Sequence, residues 1–92
     1  VITAFVLVSV ETDSIPETAQ EIADLDGVTE VYSCAGDVDL IVMIRVREHE
    51  ELAEVIAGRL SKVAGVVHTD THIAFRSYAK RDVEAGFSVG QE

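Results

Sequence analysis

Ninety-two residues, 48% of them hydrophobic, suit one folded domain and exclude a disordered chain. A formal net charge of -10 argues against direct binding of DNA or RNA, which rests on Lys and Arg neutralising phosphates. The lone cysteine, Cys34, rules out an internal disulfide and a multi-cysteine zinc site.

No stretch approaches the roughly 20 apolar residues of a membrane span. The first residues carry neither a basic leader nor a small-residue cleavage site, so they do not read as a signal peptide. A cytoplasmic location is the expectation, and no cofactor is implied. The chain begins at Val1 rather than Met, so N-terminal residues can be missing.

Thr3 to Val10 is rich in Val, Leu and Phe and reads as a strand. Alternation sends Ala4, Val6, Val8 and Val10 to one face and Phe5 and Leu7 to the other. Two apolar faces predict a central strand covered on both sides. A polar link follows, in which Asp13 or Ser14 suits a helix cap and Pro16 a first turn. Ile15, Ala19, Ile22 and Ala23 recur at helical spacing, and Gly27 suits the C-terminal cap.

Val28 to Ala35 reads as a second strand with Val28 and Tyr32 on one side. A third runs from Val38 to Val46, with Val38, Leu40, Val42, Ile44 and Val46 as one apolar face. Its opposite face, Asp39, Ile41, Met43, Arg45 and Arg47, is apolar only in the middle. Glu48-His49-Glu50-Glu51 places acids in the first turn of a second helix, where the helix dipole favours them. Leu52, Val55, Ile56, Leu60 and Val63 form its buried stripe. Gly58 within it predicts close packing on the sheet, and Gly65 ends the element. Val66 to Tyr78 reads as a long last strand, with Val67, Thr69, Thr71, Ile73 and Phe75 on one face and His68, Asp70, His72 and Arg76 on the other. Residues 1–78 are thus the expected domain, and 79–92 a polar tail.

Helix-ending Gly-Val pairs recur at Gly27-Val28 and Gly65-Val66. Strand-helix-strand, twice over, is the split βαβ arrangement. The predicted fold is therefore α+β and ferredoxin-like, βαββαβ, with a four-stranded antiparallel sheet and two helices on one face. Phe5, Leu7, Ile41 and Met43 then fall on the uncovered face. An apolar patch of that kind normally marks an interaction site, so a homodimer packed sheet against sheet is expected.

Four constellations are candidates for chemistry. Gly36, Asp37, Val38 and Asp39 form a hairpin tip with backbone N–H groups and two carboxylates, suited to an ammonium group, a metal ion or a partner's cation. An ordinary polar turn accounts for the same residues. Thr69 and Thr71, flanking Asp70, can offer hydroxyls to a ligand, or simply reflect the preference of Thr for strands. His68, Asp70 and His72 share a face, but a zinc site would need a further ligand from elsewhere. Cys34 is adjacent to the tip, has no paired base, and reads best as a buried structural residue.

Taken in order, Asp26-Gly27-Val28-Thr29-Glu30-Val31-Tyr32, Gly36-Asp37-Val38-Asp39-Leu40 and Ala64-Gly65-Val66-Val67-His68-Thr69-Asp70-Thr71 resemble the effector-binding (RAM) domain of the Lrp/AsnC regulators over about residues 3–78. Val38 departs from the pattern, since an aromatic residue is usual at that place in the tip. Nothing precedes the first strand, so the resemblance is to a stand-alone form without the family's helix-turn-helix, or to a fragment. It implies a non-enzymatic domain that binds an amino acid or similar small effector and forms homodimers that assemble further, often to octamers. Gly36, Asp37, Val38, Asp39, Thr69, Asp70 and Thr71 would form the effector site, in clefts between dimers. A full-length Lrp/AsnC regulator would be a partner by mixed assembly. Two alternatives stay open: a small monooxygenase-type enzyme using His68, His72 and Tyr78, and a purely structural oligomerisation module.

Overall fold

The computed structural model describes residues 1–80. The elements run β1 (Ile2–Val10), α1 (Ile15–Ala23), β2 (Val28–Ser33), β3 (Leu40–Val46), α2 (His49–Gly58) and β4 (Val66–Ile73), with 3-10 turns at Thr12–Ser14 and Leu60–Lys62. The sheet is antiparallel in the order β2-β3-β1-β4, so β1 is internal, as its two apolar faces require. This is the expected βαββαβ fold. The expected tail lies mostly outside the described residues, in 81–92.

One face of the sheet is the core. Ala4, Val6 and Val8 of β1 and Leu40, Val42 and Ile44 of β3 are fully buried there, together with Ile22, Leu52, Val55, Leu60 and Val63 from the helical layer. The opposite face carries Phe5, Leu7, Ile41 and Met43, all half-exposed in the single chain. Cross-strand register sets them side by side: Phe5 faces Met43 and Leu7 faces Ile41. They form one contiguous apolar patch.

Two bulges break simple alternation. One lies between Val28 and Glu30, so Val28 packs on the core while Tyr32, opposite Ile41, lies half-exposed on the other face. The two residues do not share a side as alternation predicts, because a bulge inserts one extra residue and reverses the phase. The second lies where β4 meets Ser9 and Val10. Val66 pairs with Val10 and His68 with Ser9, which leaves Val67 unpaired and exposed rather than aligned with Thr69.

The strands are also shorter than their apolar runs. β4 ends at Ile73, level with Ala4 of β1, and Phe75 and Tyr78 beyond it are exposed. The last cross-link is the Ala74 N–H donating to the Thr3 carbonyl at 2.9 Å.

Helix ends follow sequence chemistry in part. Pro16 occupies the first turn of α1, but the expected side-chain cap is absent; the Ser14 hydroxyl instead donates to the Glu11 carbonyl at 3.3 Å. Glu48 caps α2 through a reciprocal capping box with Glu51. Gly58 does not pack on the sheet: it is exposed at the end of α2 with open space around it. Gly27 and Gly65 do adopt left-handed backbone, at φ +94° and +97°. At Gly65 the fit is tight, because a Cβ would run into the Thr18 and Ser14 hydroxyl oxygens. Thr18 is itself buried and donates its hydroxyl to the Ala64 carbonyl at 3.0 Å, which clasps α1 to the approach of β4.

Candidate functional site

The loop between β2 and β3 spans Cys34 to Asp39. It is closed by the Cys34 N–H donating to the Asp39 carbonyl at 2.9 Å. Gly36, at φ +139°, sits at the exposed tip with nothing near it, as a left-handed turn position favours. Asp37 is exposed beside it and Val38 is half-buried.

Asp39 faces inward to the fold. Its N–H donates to the Val8 carbonyl at 3.0 Å and its Oδ2 accepts the Val10 N–H at 2.8 Å. One carboxylate oxygen is therefore committed to the backbone of β1, and the tip is anchored rather than free. Asp37 remains the exposed acid of the pair. Cys34, expected to be buried, is only half-buried; its thiol lies 3.6 Å from the Tyr32 carbonyl.

The Thr-Asp-Thr segment lies on the other side of β1. Thr69 is level with Val8 and Thr71 with Val6, whose side chains face the helices. Asp70 is level with Leu7, on the uncovered face. Leu40, at the base of the tip, is also level with Val8, so tip and Thr69 flank the same residue two strand spacings apart, about 10 Å. The tip and Thr69 thus lie at the same end of the sheet on either side of β1, and Asp70 departs from the threonines to the opposite face.

Asp70 instead pairs with His72, Oδ2 to Nε2 at 3.3 Å, with both side chains well exposed. Among the described residues no three His, Cys, Asp or Glu side chains are grouped to hold a metal. His68, level with Ser9, also falls on the uncovered face, and Tyr78 is exposed beyond the sheet. None of the three lies between helices and sheet, where the enzyme alternative needs them.

On the same uncovered face the Tyr32 hydroxyl donates to the Glu30 carboxylate. That bond, reinforced by a small desolvation and by the neighbouring negative charge, holds the phenol above its usual pKa.

Two clefts of the described residues lie elsewhere. One cleft of about 330 Å³ lies between the ends of β3 and α2, lined by Asp26, Arg45, Arg47, Glu54, Arg59 and their neighbours. Another, of about 300 Å³, lies beside Phe5, Arg45, Phe75 and Arg76. Sequence reasoning missed the first, because Asp26, Arg47 and Arg59 come to it from three separate segments of the chain.

This arrangement can be set beside known proteins. The profile of the Lrp/AsnC ligand binding domain matches residues 3–84. The chain belongs to the Lrp/AsnC ligand-binding domain family. An uncharacterised HTH-type transcriptional regulator of Pyrococcus horikoshii is 36% identical over 76 residues, which is 79% of this chain and 51% of that protein. The chain therefore spans about half the length of the curated relatives it matches. The crystal structure of a Thermus thermophilus protein superposes with a TM-score of 0.81 at 38% identity, covering 87% of this chain and 100% of that one. A feast or famine regulatory protein from M. tuberculosis, solved in complex with L-methionine, superposes with a TM-score of 0.64 at 26% identity, over 88% of this chain and 55% of that one.

Membership makes this chain a small-molecule-binding domain of a regulator family. Among the described residues, no helix is long and apolar enough to cross a membrane.

Proposed function

We propose that this Lrp/AsnC domain senses an amino acid or closely similar effector at a site completed only by assembly. The observation that carries the reading is positional. The Gly36–Asp39 tip and Thr69 converge on one end of the sheet, yet line neither of the two clefts described for the single chain. A second chain would supply the missing wall. Asp37 is the acid free to pair with an α-ammonium group, while backbone N–H groups of the tip and the Thr69 and Thr71 hydroxyls suit a carboxylate. The methionine complex of the M. tuberculosis relative supports the ligand class.

Assembly begins with the uncovered face. Phe5, Leu7, Ile41 and Met43 would pair sheet to sheet in a homodimer, and dimers would associate further, to an octamer in the fullest form. A ligand touching two dimers stabilises their contact, so binding and assembly are linked. Mixed assembly with a full-length regulator of the family follows from the same shared surface, and a pull-down that recovers none would count against that part.

The test is thermal unfolding with each of the twenty amino acids at millimolar concentration. A ligand at 100 times its Kd adds about 2.7 kcal/mol, a rise of several degrees for a domain of this size. The expected result is a shift with one or a few amino acids that Asp37→Ala removes. If no amino acid moves the midpoint, the reading fails and the structural-module alternative takes its place.

A further inference from the structure

The cleft beside Phe5 lies on the uncovered face, at the opposite end of β3 from the tip. From Leu40 to Arg45 is five residues along the strand, about 17 Å. Arg45 is level with Thr3 of β1. On the other side of Thr3 stands Ala74, whose N–H donates to the Thr3 carbonyl at 2.9 Å, and Arg76 follows two residues on. Both arginines line the cleft, together with Thr3, Phe5, Phe75 and Ser77. β3 and the segment after β4 flank β1, so the two arginines start two strand spacings apart, about 10 Å. Two long side chains can close that gap above Thr3.

Among the described residues the lining holds no carboxylate. In a chain with 7 Lys and Arg against 17 Asp and Glu, two arginines gathered without an acid set this surface apart. Glu30 and Asp70 share the uncovered face, but each is engaged elsewhere. The Glu30 carboxylate accepts the Tyr32 hydroxyl, and Asp70 Oδ2 lies 3.3 Å from His72 Nε2. Among the described residues no ion pair joins Arg45 or Arg76 to a carboxylate, and both side chains are exposed. The apolar part of the lining is aromatic: Phe5, next to Thr3 on the same face, and Phe75, which is 96% exposed in the single chain.

We propose that this cleft binds a small carboxylate with an apolar body. Guanidinium groups grip carboxylates with two parallel hydrogen bonds, a geometry that Lys cannot reproduce. The two phenyl rings decide the rest of the ligand. An inorganic anion satisfies the arginines but gains nothing from Phe5 and Phe75, whereas an apolar body covers both rings. An α-amino acid is disfavoured, because its ammonium group would meet two cations and no acid. The site thus differs from the tip in chemistry as well as in place. About 300 Å³ is at the small end of ligand pockets.

The test is titration of the arginine Nε–Hε signals by NMR with sodium benzoate, against benzyl alcohol, inorganic phosphate and chloride at matched ionic strength. Sedimentation velocity is run on the same samples. The expected result is saturable shifts of Arg45 and Arg76 with benzoate at millimolar concentration, with the oligomeric state unchanged. Affinity read on the remaining guanidinium should fall at least fivefold in Arg45→Gln and in Arg76→Gln. Asp37→Ala should leave the shifts as they are, which separates this cleft from the effector site at the tip. Equal shifts with benzyl alcohol or chloride, tighter binding of phosphate, or shifts that survive both arginine variants would overturn the proposal. So would benzoate binding only as the oligomer dissociates, which would assign the cleft to contact with a second copy.

Discussion

Asp39→Ala is the substitution that best separates anchoring from ligand binding. In the parent, Oδ2 accepts the Val10 N–H at 2.8 Å, and Val10 is only 6% exposed. Removing the carboxylate deletes a charge-assisted hydrogen bond and leaves a nearly buried N–H without a protein partner. Bonds to charged groups contribute about 1.5–3 kcal/mol. Asp39 is half-buried, and water can reach part of the vacated space, so the expected loss is about 1–2 kcal/mol. For a domain of this size each kcal/mol moves Tm by about 4–8 °C. Urea unfolding at fixed protein concentration reads the change as a lower midpoint with an unchanged m value. Asp39→Asn keeps a neutral acceptor and should lose roughly half as much. The same stability in Asp39→Ala and parent, with no ligand present, would refute the anchoring role. The consequence for ligand assays is practical: loss of binding in Asp39→Ala conflates a displaced tip with a lost contact, whereas Asp37→Ala does not.

Two glycines should respond in opposite directions. Gly65→Ala forces a Cβ onto left-handed backbone and against the Thr18 and Ser14 hydroxyls, and should cost about 1–3 kcal/mol; Gly58→Ala meets open space at an ordinary φ and should gain up to about 1 kcal/mol. Equal effects on the urea midpoint would contradict both assignments. Tyr32 should titrate above the ordinary phenol value of about 10. Because the folded-state pKa is raised, its bond to Glu30 contributes below that ordinary value and is lost as pH rises through the raised one. Absorbance titration in a Tyr78→Phe background, with and without Glu30→Gln, checks this; the same midpoint in both would remove Glu30 as the cause.

Much of this fold is legible in residue patterns because the patterns report burial. The double apolar face of Thr3–Val10 could only belong to an internal strand, and β1 lies between β3 and β4. Gly27 and Gly65 sit where a helix must turn into a strand, and both take left-handed backbone. What alternation misses is the insertion of a single residue. The bulges near Thr29 and Val67 leave composition unchanged but reverse the facing of everything beyond them, so Val28 and Tyr32 part company. Gly58 misleads for a different reason: a helix interior and a helix end look alike when the apolar stripe continues into a 3-10 turn, as Leu60 and Val63 do here. In the candidate site, the tip is visible as a turn, but the bond that fixes it joins residues 29 apart in sequence. The cleft between β3 and α2 is equally hidden, since Arg59 reaches it from the end of α2.

The order β2-β3-β1-β4 also bears on how the protein is made. β1 is synthesised before both strands that pair with it, β3 and β4, and α1 is clasped to Ala64, 46 residues further on. Until the ribosome has delivered β4, one edge of β1 and its apolar side chains have nothing to satisfy them. Two of the three strand pairings, β1 with β3 and β1 with β4, are long-range, and such pairings slow folding. A chain interrupted before Val66 would keep most of its hydrophobic residues and still lack the strand that completes the sheet. Its natural fate is association through that open edge, so β4 doubles as protection against aggregation.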